Sequence, residues 1–327
     1  MHTKSQIKIH NETGGVVPEV ASREHANVIF EVLDTVLAQW NTSLEEIDYI
    51  AVTTFPGLIP SLLTGITVAS TLSHTLNIPV LEIDHIQAHI FSNFLERDES
   101  EIQFPLVCLT VSGGHNEIYY MKSMFEKEKI GQTQDDAAGE AFDKVAKMMW
   151  LGYPGGPIIS KLADTYQSPL MKERAERGLF PRVFLEKSGF QFSFSGLKSA
   201  VKREVDAREH LPLNQREKPE DQKGWSDAVE ISHEFQSAVN EVLCYKLCRA
   251  AEEKWVKTIM LAGWVSANDN LNTRIRNEAN KQNLNFFAPK KKLYCMDNAA
   301  MIGILAYYRI KYNIFEHQIW EVKVGSW

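Results

Sequence analysis

Along the chain, short unbroken apolar runs alternate with stretches whose apolar residues recur at helical spacing, the signature of an α/β protein. Residues 26–39 read as a helix, and Y-I-A-V-T at 49–53 as a short buried strand. A second helix is predicted over 61–76. A strand at 80–83 then runs straight into a further helix that carries D-H-I-Q-A-H. Beyond a charged loop at 96–103, the strand 106–111 passes through S-G-G-H into a strand at 117–121, a β-turn-β unit. Helices are predicted at 139–149 and 156–165, over the segment holding Lys198, Lys202 and Arg203, and over 227–254. A strand at 258–262, a helix from Asn268 and a last helix opening at Asp297-Asn298 complete the pattern. The polar stretch 211–226 is the clearest surface loop.

Composition bounds this picture without redrawing it. A chain of 327 residues has room for two lobes, and 44% hydrophobic with 24% charged residues is ordinary for a globular protein in water. No apolar run reaches the ~18 residues of a membrane span, and the N-terminal residues have neither signal nor transit character, so no membrane and a cytoplasmic home are expected. Cys108, Cys244, Cys248 and Cys295 are scattered rather than set in a knuckle and read as reduced thiols. The net charge of −7 excludes a chain that coats nucleic acid by bulk electrostatics. Two local basic groups remain, Lys198 with Lys202 and Arg203, and Lys290 with Lys291 and Lys292. Solvated surface charge is the plainer account of either.

The candidate chemistry starts at His85 and His89. Spaced four apart on a helix, they share a face and can bind one ion from the same side, given a third ligand from elsewhere. The zinc-protease pattern H-E-x-x-H needs a glutamate where this chain has Ile86, which disfavours metalloprotease chemistry. Strand ends close on small-residue turns at T-F-P-G, V-S-G-G and A-G-W, where backbone N–H groups can meet a phosphate, although a plain tight turn is the simpler account of each. Y-P-G-G-P at 153–157 opens a helix in a way that suits a ribose or phosphate. Asp136, Glu140 and Asp143 lie on adjoining turns, as hydroxyl or metal contacts or as a solvated acidic helix start. Asp297 stands before an apolar helix, either as its cap or as the missing third ligand.

Taken in order after D-H-I-Q-A-H, the motifs V-S-G-G-H-N-E-I-Y, D-D-A-A-G-E-A-F-D-K-V-A-K, G-Y-P-G-G-P, F-S-F-S-G-L-K-S-A-V, V-S-A-N and M-D-N-A-A-M-I resemble the tRNA N6-adenosine threonylcarbamoyltransferase family over nearly the whole chain. The resemblance implies an actin-like, Hsp70-like and sugar-kinase-like two-lobed α/β fold with a nucleotide cleft between lobes. It suggests an N-terminal lobe over 1–104, joined by 299–327, and a C-terminal lobe over 105–298. It further implies one divalent metal, Fe2+ first and Zn2+ second, on His85, His89 and Asp297. Thr110, Val111, Ser112, Gly113 and Gly114 would face the ligand's phosphate and carbamoyl end, and Asp143, Gly156 and Asn268 its nucleoside, with no protein nucleophile. The implied reaction moves a threonylcarbamoyl group from threonylcarbamoyl-AMP to the N6 amine of the adenosine 3′ to the anticodon, in tRNAs that read codons beginning with A. Implied partners are a paralogous dimer subunit and a small P-loop ATPase. The alternatives are a non-catalytic partner subunit of the same fold in the same tRNA-modification complex, an inactive truncated copy, and an actin-like kinase or ATPase; the metal triad disfavours the first and the last.

The chain departs from the family in three ways. Its start corresponds to a segment about thirty residues into the family pattern, so a first lobe without its leading strands is expected, from truncation or a misassigned start. Trp150 and Trp264, with Trp40 and Trp255 beside them, fall where the family commonly has glycine. Glycine is also scarce, at 18 of 327 residues or about 5.5% against a typical 7%. Codons UGA, translated as tryptophan but read as glycine in the source cell, would account for both observations. Ser160 stands where the family often has an aspartate that helps hold the ribose.

Overall fold

The computed structural model describes residues 1–13, 15–166, 178–183, 189–208 and 223–315, with the backbone alone at Lys223. Two compact units emerge, Met1–Arg97 with Pro289–Trp327, and Asp98–Ala288.

The first unit opens with α1 (Ile7–Thr13) and α2 (Pro18–Trp40). Helix α2 starts about two turns before the predicted 26–39, because its first turns bury only Ala21 and show no apolar stripe. Proline near its start costs nothing, since the first N–H groups of a helix lack partners anyway. Next come β1 (Ile50–Phe55), α3 (Ile59–Leu76) and β2 (Val80–Asp84), a β-α-β unit whose strands pair in parallel from Ile50 opposite Val80 to Phe55 opposite Asp84. Val80, Leu81 and Ile83 are buried on β2, whereas on β1 only Thr54 is. Strand β2 ends directly in α4 (His85–Phe91).

The second unit is built on a five-stranded sheet in the order β5-β4-β3-β6-β7. Strands β3 (Leu106–Val111), β4 (Asn116–Met121) and β5 (Lys127–Gln132) form an antiparallel meander, and β6 (Thr258–Ala262) and β7 (Asn285–Phe287) extend it in parallel from β3. Every residue of β3 and β6 is buried, which explains their continuous apolar runs. Strands β5 and β7 escape the sequence pattern because they are edges: K-E-K-I-G-Q buries only Gly131, and N-F-F buries none of its residues. Helices α5 (Ala138–Met148), α6 (Gly155–Asp164), α7 (Ser195–Ala207), α8 (Lys223–Glu253) and α9 (Asp269–Lys281) cover the sheet and one another. At the core, Phe142 of α5 meets Phe235 of α8 edge to face at 4.9 Å. Of the predicted loop 211–226, residues 211–222 lie outside the described residues, and Lys223–Ser226 already belong to α8.

The chain then returns to the first unit with α10 (Lys292–Cys295) and α11 (Ala299–Lys311). Tyr308 of α11 closes on Phe91 and Phe94 with ring centroids 6.0 and 5.4 Å away, and Arg309 donates to the Glu82 carbonyl on β2 at 2.6 Å. These contacts hold α11, and the residues that lead into it, against α4. All four cysteines are buried thiols outside any disulfide, and burial pushes the Cys108 thiol up to about 12, which leaves it inert at neutral pH. No helix among the described residues is long and apolar enough to cross a membrane.

Candidate metal centre and ligand-facing loops

Asp84, the last residue of β2, accepts the Ile86 N–H at 2.8 Å and the Gln87 N–H at 3.0 Å. This cap fixes His85 as the first residue of α4 and sets His89 one turn on, over the same face. The two rings meet edge to face with centroids 4.7 Å apart. His89 is 1% exposed and His85 about a quarter.

The sequence leaves Asp297 as cap or ligand. The structure gives the cap to Asn298, whose Oδ1 accepts the Met301 N–H at 3.0 Å while its amide nitrogen donates to the Met296 carbonyl at 2.7 Å. Relieved of that task, Asp297 sets one carboxylate oxygen 3.0 Å from His89 Nε2 and 3.3 Å from His85 Nε2. Neighbouring protein desolvates the Asp297 carboxyl and pushes its pKa up, although three quarters of the side chain stays reachable by water. The hydrogen bonds and charge of the two imidazoles outweigh that and hold it well below the usual carboxylate range.

The three ligand atoms lie within 4.8 Å of one another. Two imidazoles and one carboxylate are a donor set for a divalent transition metal, and three protein ligands leave coordination positions open. His89 also has a buried Nδ1 with no hydrogen-bond partner among the described residues. Coordination through Nε2 would leave this Nδ1 as it is, so the fit rests on the donor set and its convergence. The residues fit the ion.

The second unit holds the other predicted residues. Thr110 and Val111 are wholly buried on β3, backbone included, so of the predicted segment only the residues from Ser112 on reach the surface. Ser112 closes the β3–β4 hairpin: its N–H donates to the His115 carbonyl at 2.7 Å and its hydroxyl accepts the His115 N–H at 3.1 Å. Glycine space is the dominant feature around this turn. A Cβ on Gly139 would stand 2.7 Å from the Ser112 carbonyl oxygen, and one on Gly263, at φ 82°, would stand 2.4 Å from that of Val111. On a third side, a Cβ on Gly113 would meet the Trp264 ring at 2.8 Å, so the indole lies directly on the glycine turn. The positive φ beside Trp264 belongs to Gly263.

Asp143 accepts the Gly155 N–H at 2.7 Å, which ties α5 to the start of α6. Burial raises its pKa, against the bonds from the Gly155 and Gly156 backbone that lower it. A Cβ on Gly156 would meet nothing within 4 Å, so the backbone there is open to approach. Asn268 caps α9 by accepting the Leu271 N–H at 2.9 Å, and its amide donates to Gln236 Oε1 at 2.8 Å. Both ends of that side chain are occupied.

One network had no sequence signal beyond its motif. Asp135 accepts from the Ser195 hydroxyl at 2.6 Å and the Phe194 N–H at 2.8 Å, clamping the start of α7. Asp136 takes Lys144 at 2.7 Å and also Lys198. Only the pairing of D-D with F-S-F-S-G-L-K hinted at it. It absorbs Lys198, Lys202 pairs with Asp206, and Lys290 and Lys291 bind Glu96, so most of the two predicted basic groups is already satisfied within the chain.

A family model described as tRNA N6-adenosine threonylcarbamoyltransferase matches residues 1–304. A protein of that name in Syntrophomonas wolfei is 42% identical over 304 residues, covering 93% of this chain and 83% of its own. One in Fusobacterium nucleatum is 42% identical over 308 residues, covering 94% and 83%. Among solved structures, T. kodakarensis HypF matches 86% of this chain and 43% of its own with a TM-score of 0.56 at 14% identity, a likeness of fold alone. The architecture is α/β of the actin-like kind. On the family match and these identities, the chain belongs to the tRNA N6-adenosine threonylcarbamoyltransferase family.

Proposed function

We propose that this protein transfers the threonylcarbamoyl group of threonylcarbamoyl-AMP to the N6 amine of the adenosine 3′ to the anticodon, in tRNAs reading codons that begin with A. The family match over residues 1–304 carries this reading. His85, His89 and Asp297 are assigned to one divalent ion, Fe2+ first and Zn2+ second, and their convergence within 4.8 Å supports the assignment. When bound, the ion supplies Lewis acidity for the negative charge that grows on oxygen as a weakly nucleophilic aryl amine attacks the mixed-anhydride carbonyl.

The chain's own residues bind and orient. The segment Thr110–Gly114 is assigned to the phosphate and carbamoyl end; with Thr110 and Val111 inside β3 and the Ser112 N–H bonded to His115, the accessible backbone of Gly113 and Gly114 is the part that would meet it. Asp143, Gly156 and Asn268 serve the nucleoside. The open backbone at Gly156 supports that role, whereas Asn268 has to release Gln236 or contribute backbone. An acidic chain with most of its lysine groups internally paired fits tRNA binding shared with a paralogous subunit and a small P-loop ATPase.

Incubating the protein with threonylcarbamoyl-AMP and a tRNA reading such codons, with and without those partners, tests the proposal. The modified adenosine should appear in the tRNA. ATP turnover without any modified adenosine would contradict it and favour the ATPase alternative.

A further inference from the structure

Helix α1 ends with an N–H bonded back to the carbonyl five residues earlier, Gly15 to His10, across a residue outside the described ones, and six further helices close the same way: Thr42 to Leu37, Ile78 to Ser73, Leu151 to Ala146, Val256 to Ala251, Leu284 to Ala279 and Ile314 to Arg309. This closure requires the residue before the donor to turn left-handed. Four of these six positions are Asn41, Asn77, Asn283 and Asn313, with φ between 49° and 55°. Asparagine is the side chain that tolerates the conformation best after glycine. The other two are Trp150, at φ 60°, and Trp255, at φ 56°. A bulky side chain in this region is an outlier, and neither indole gains packing in return, since Trp150 is 59% exposed and Trp255 91%.

Trp264 breaks the pattern differently. Gly139 and Gly263, the latter next to it in the chain, press against the Val111–Gly113 backbone, and the Trp264 ring lies on Gly113 of the same segment. Trp40 and Trp225 behave otherwise. Trp40 ends α2 in helical conformation and leaves the left-handed position to Asn41, contrary to the sequence expectation that it replaces a glycine. Trp225 lies within α8 and packs on the core.

We propose that positions 150, 255 and 264 are glycine in the protein its source cell makes, the corresponding codon being UGA read there as glycine, while Trp40 and Trp225 are true tryptophans. A chain that places asparagine at four left-handed helix ends and an exposed indole at two has an anomaly of decoding rather than of folding. Nothing in this inference rests on the transferase reading.

Mass spectrometry of the native protein decides it. Tryptic peptides 148–161, 255–257 and 258–274 should show the mass of glycine for tryptophan, and those covering 40 and 225 should not. Tryptophan at 150, 255 or 264 would overturn the proposal. Where only recombinant protein is at hand, Trp150→Gly and Trp255→Gly should each raise Tm by about 2 °C or more, since each removes left-handed strain without loss of packing. An unchanged or lowered Tm in both would count against it.

Discussion

The first unit gathers its candidate site from side chains, whereas the second offers backbone. Around α4, neighbours take over the structural duties: Asp84 caps the helix, Asn298 caps α11, and the chemistry-bearing groups His85, His89 and Asp297 are left to face one another. Around the Ser112–His115 turn the proposed contacts are backbone groups, and the close packing of the turn depends on what is missing, namely the Cβ atoms of Gly139 and Gly263. A side-chain site therefore fails when a ligand is removed. A backbone site would fail when a side chain is added, and the Trp264 ring lies against Gly113 of this turn.

This difference can be broken from either side. Asp297→Ala should have the largest effect, a loss of ~10²-fold or more in metal affinity, because only two imidazoles remain. Since Asp297 caps nothing, stability should fall only by the ~1–3 kcal/mol of the bond lost to the buried His89 Nε2, and a larger loss on thermal unfolding would mean that its role is structural. Trp264→Gly should act in the opposite sense on the other unit. Relieving crowding of ~1.4 kcal/mol would strengthen binding of threonylcarbamoyl-AMP about tenfold, as read by calorimetry. Weaker binding would show that the indole is part of the site.

The two kinds of site were unequally legible. His85 and His89 could be read from spacing, and Ile86 removed the protease alternative; spacing left Asp297 as cap or ligand, the family resemblance pointed to ligand, and the structure shows Asn298 rather than Asp297 capping α11. Adjacent residues that can both cap are interchangeable in sequence and distinct only in space. In the second unit β3 and β6 were found to the residue, because strands buried on both faces are unbroken apolar runs. Strands β5 and β7 were missed because edge strands carry polar residues. Loop glycines were visible, yet whether each served φ or space was not: Gly263 needs both, and Gly139 needs only space.

Smaller effects sharpen the same contrast. Asp136→Asn should cost ~1–2 kcal/mol by weakening the bonds to Lys144 and Lys198, with the Lys144–Glu140 pair surviving. Partial burial raises the Asp136 carboxyl, but the two lysines more than reverse this, so its folded pKa lies below the unfolded value of about 3.9. Its contribution is thus present above that pH and lost as pH falls through the folded pKa. Urea midpoints of the wild type should fall between pH 5 and pH 3 more steeply than those of the variant, and equal slopes would remove this assignment. Asn298→Ala should cost about 1 kcal/mol as a lost cap, with weaker metal binding as Asp297 drifts. Full metal affinity in that variant would show that the cap does not position the ligand.

The most direct test measures bound metal and threonylcarbamoyl transfer together on the same preparations of wild type, His85→Ala and His89→Ala. The account predicts one divalent ion per wild-type chain, with ion and transfer lost in both variants while circular dichroism stays native. Transfer that persists in a folded, metal-free variant would contradict it.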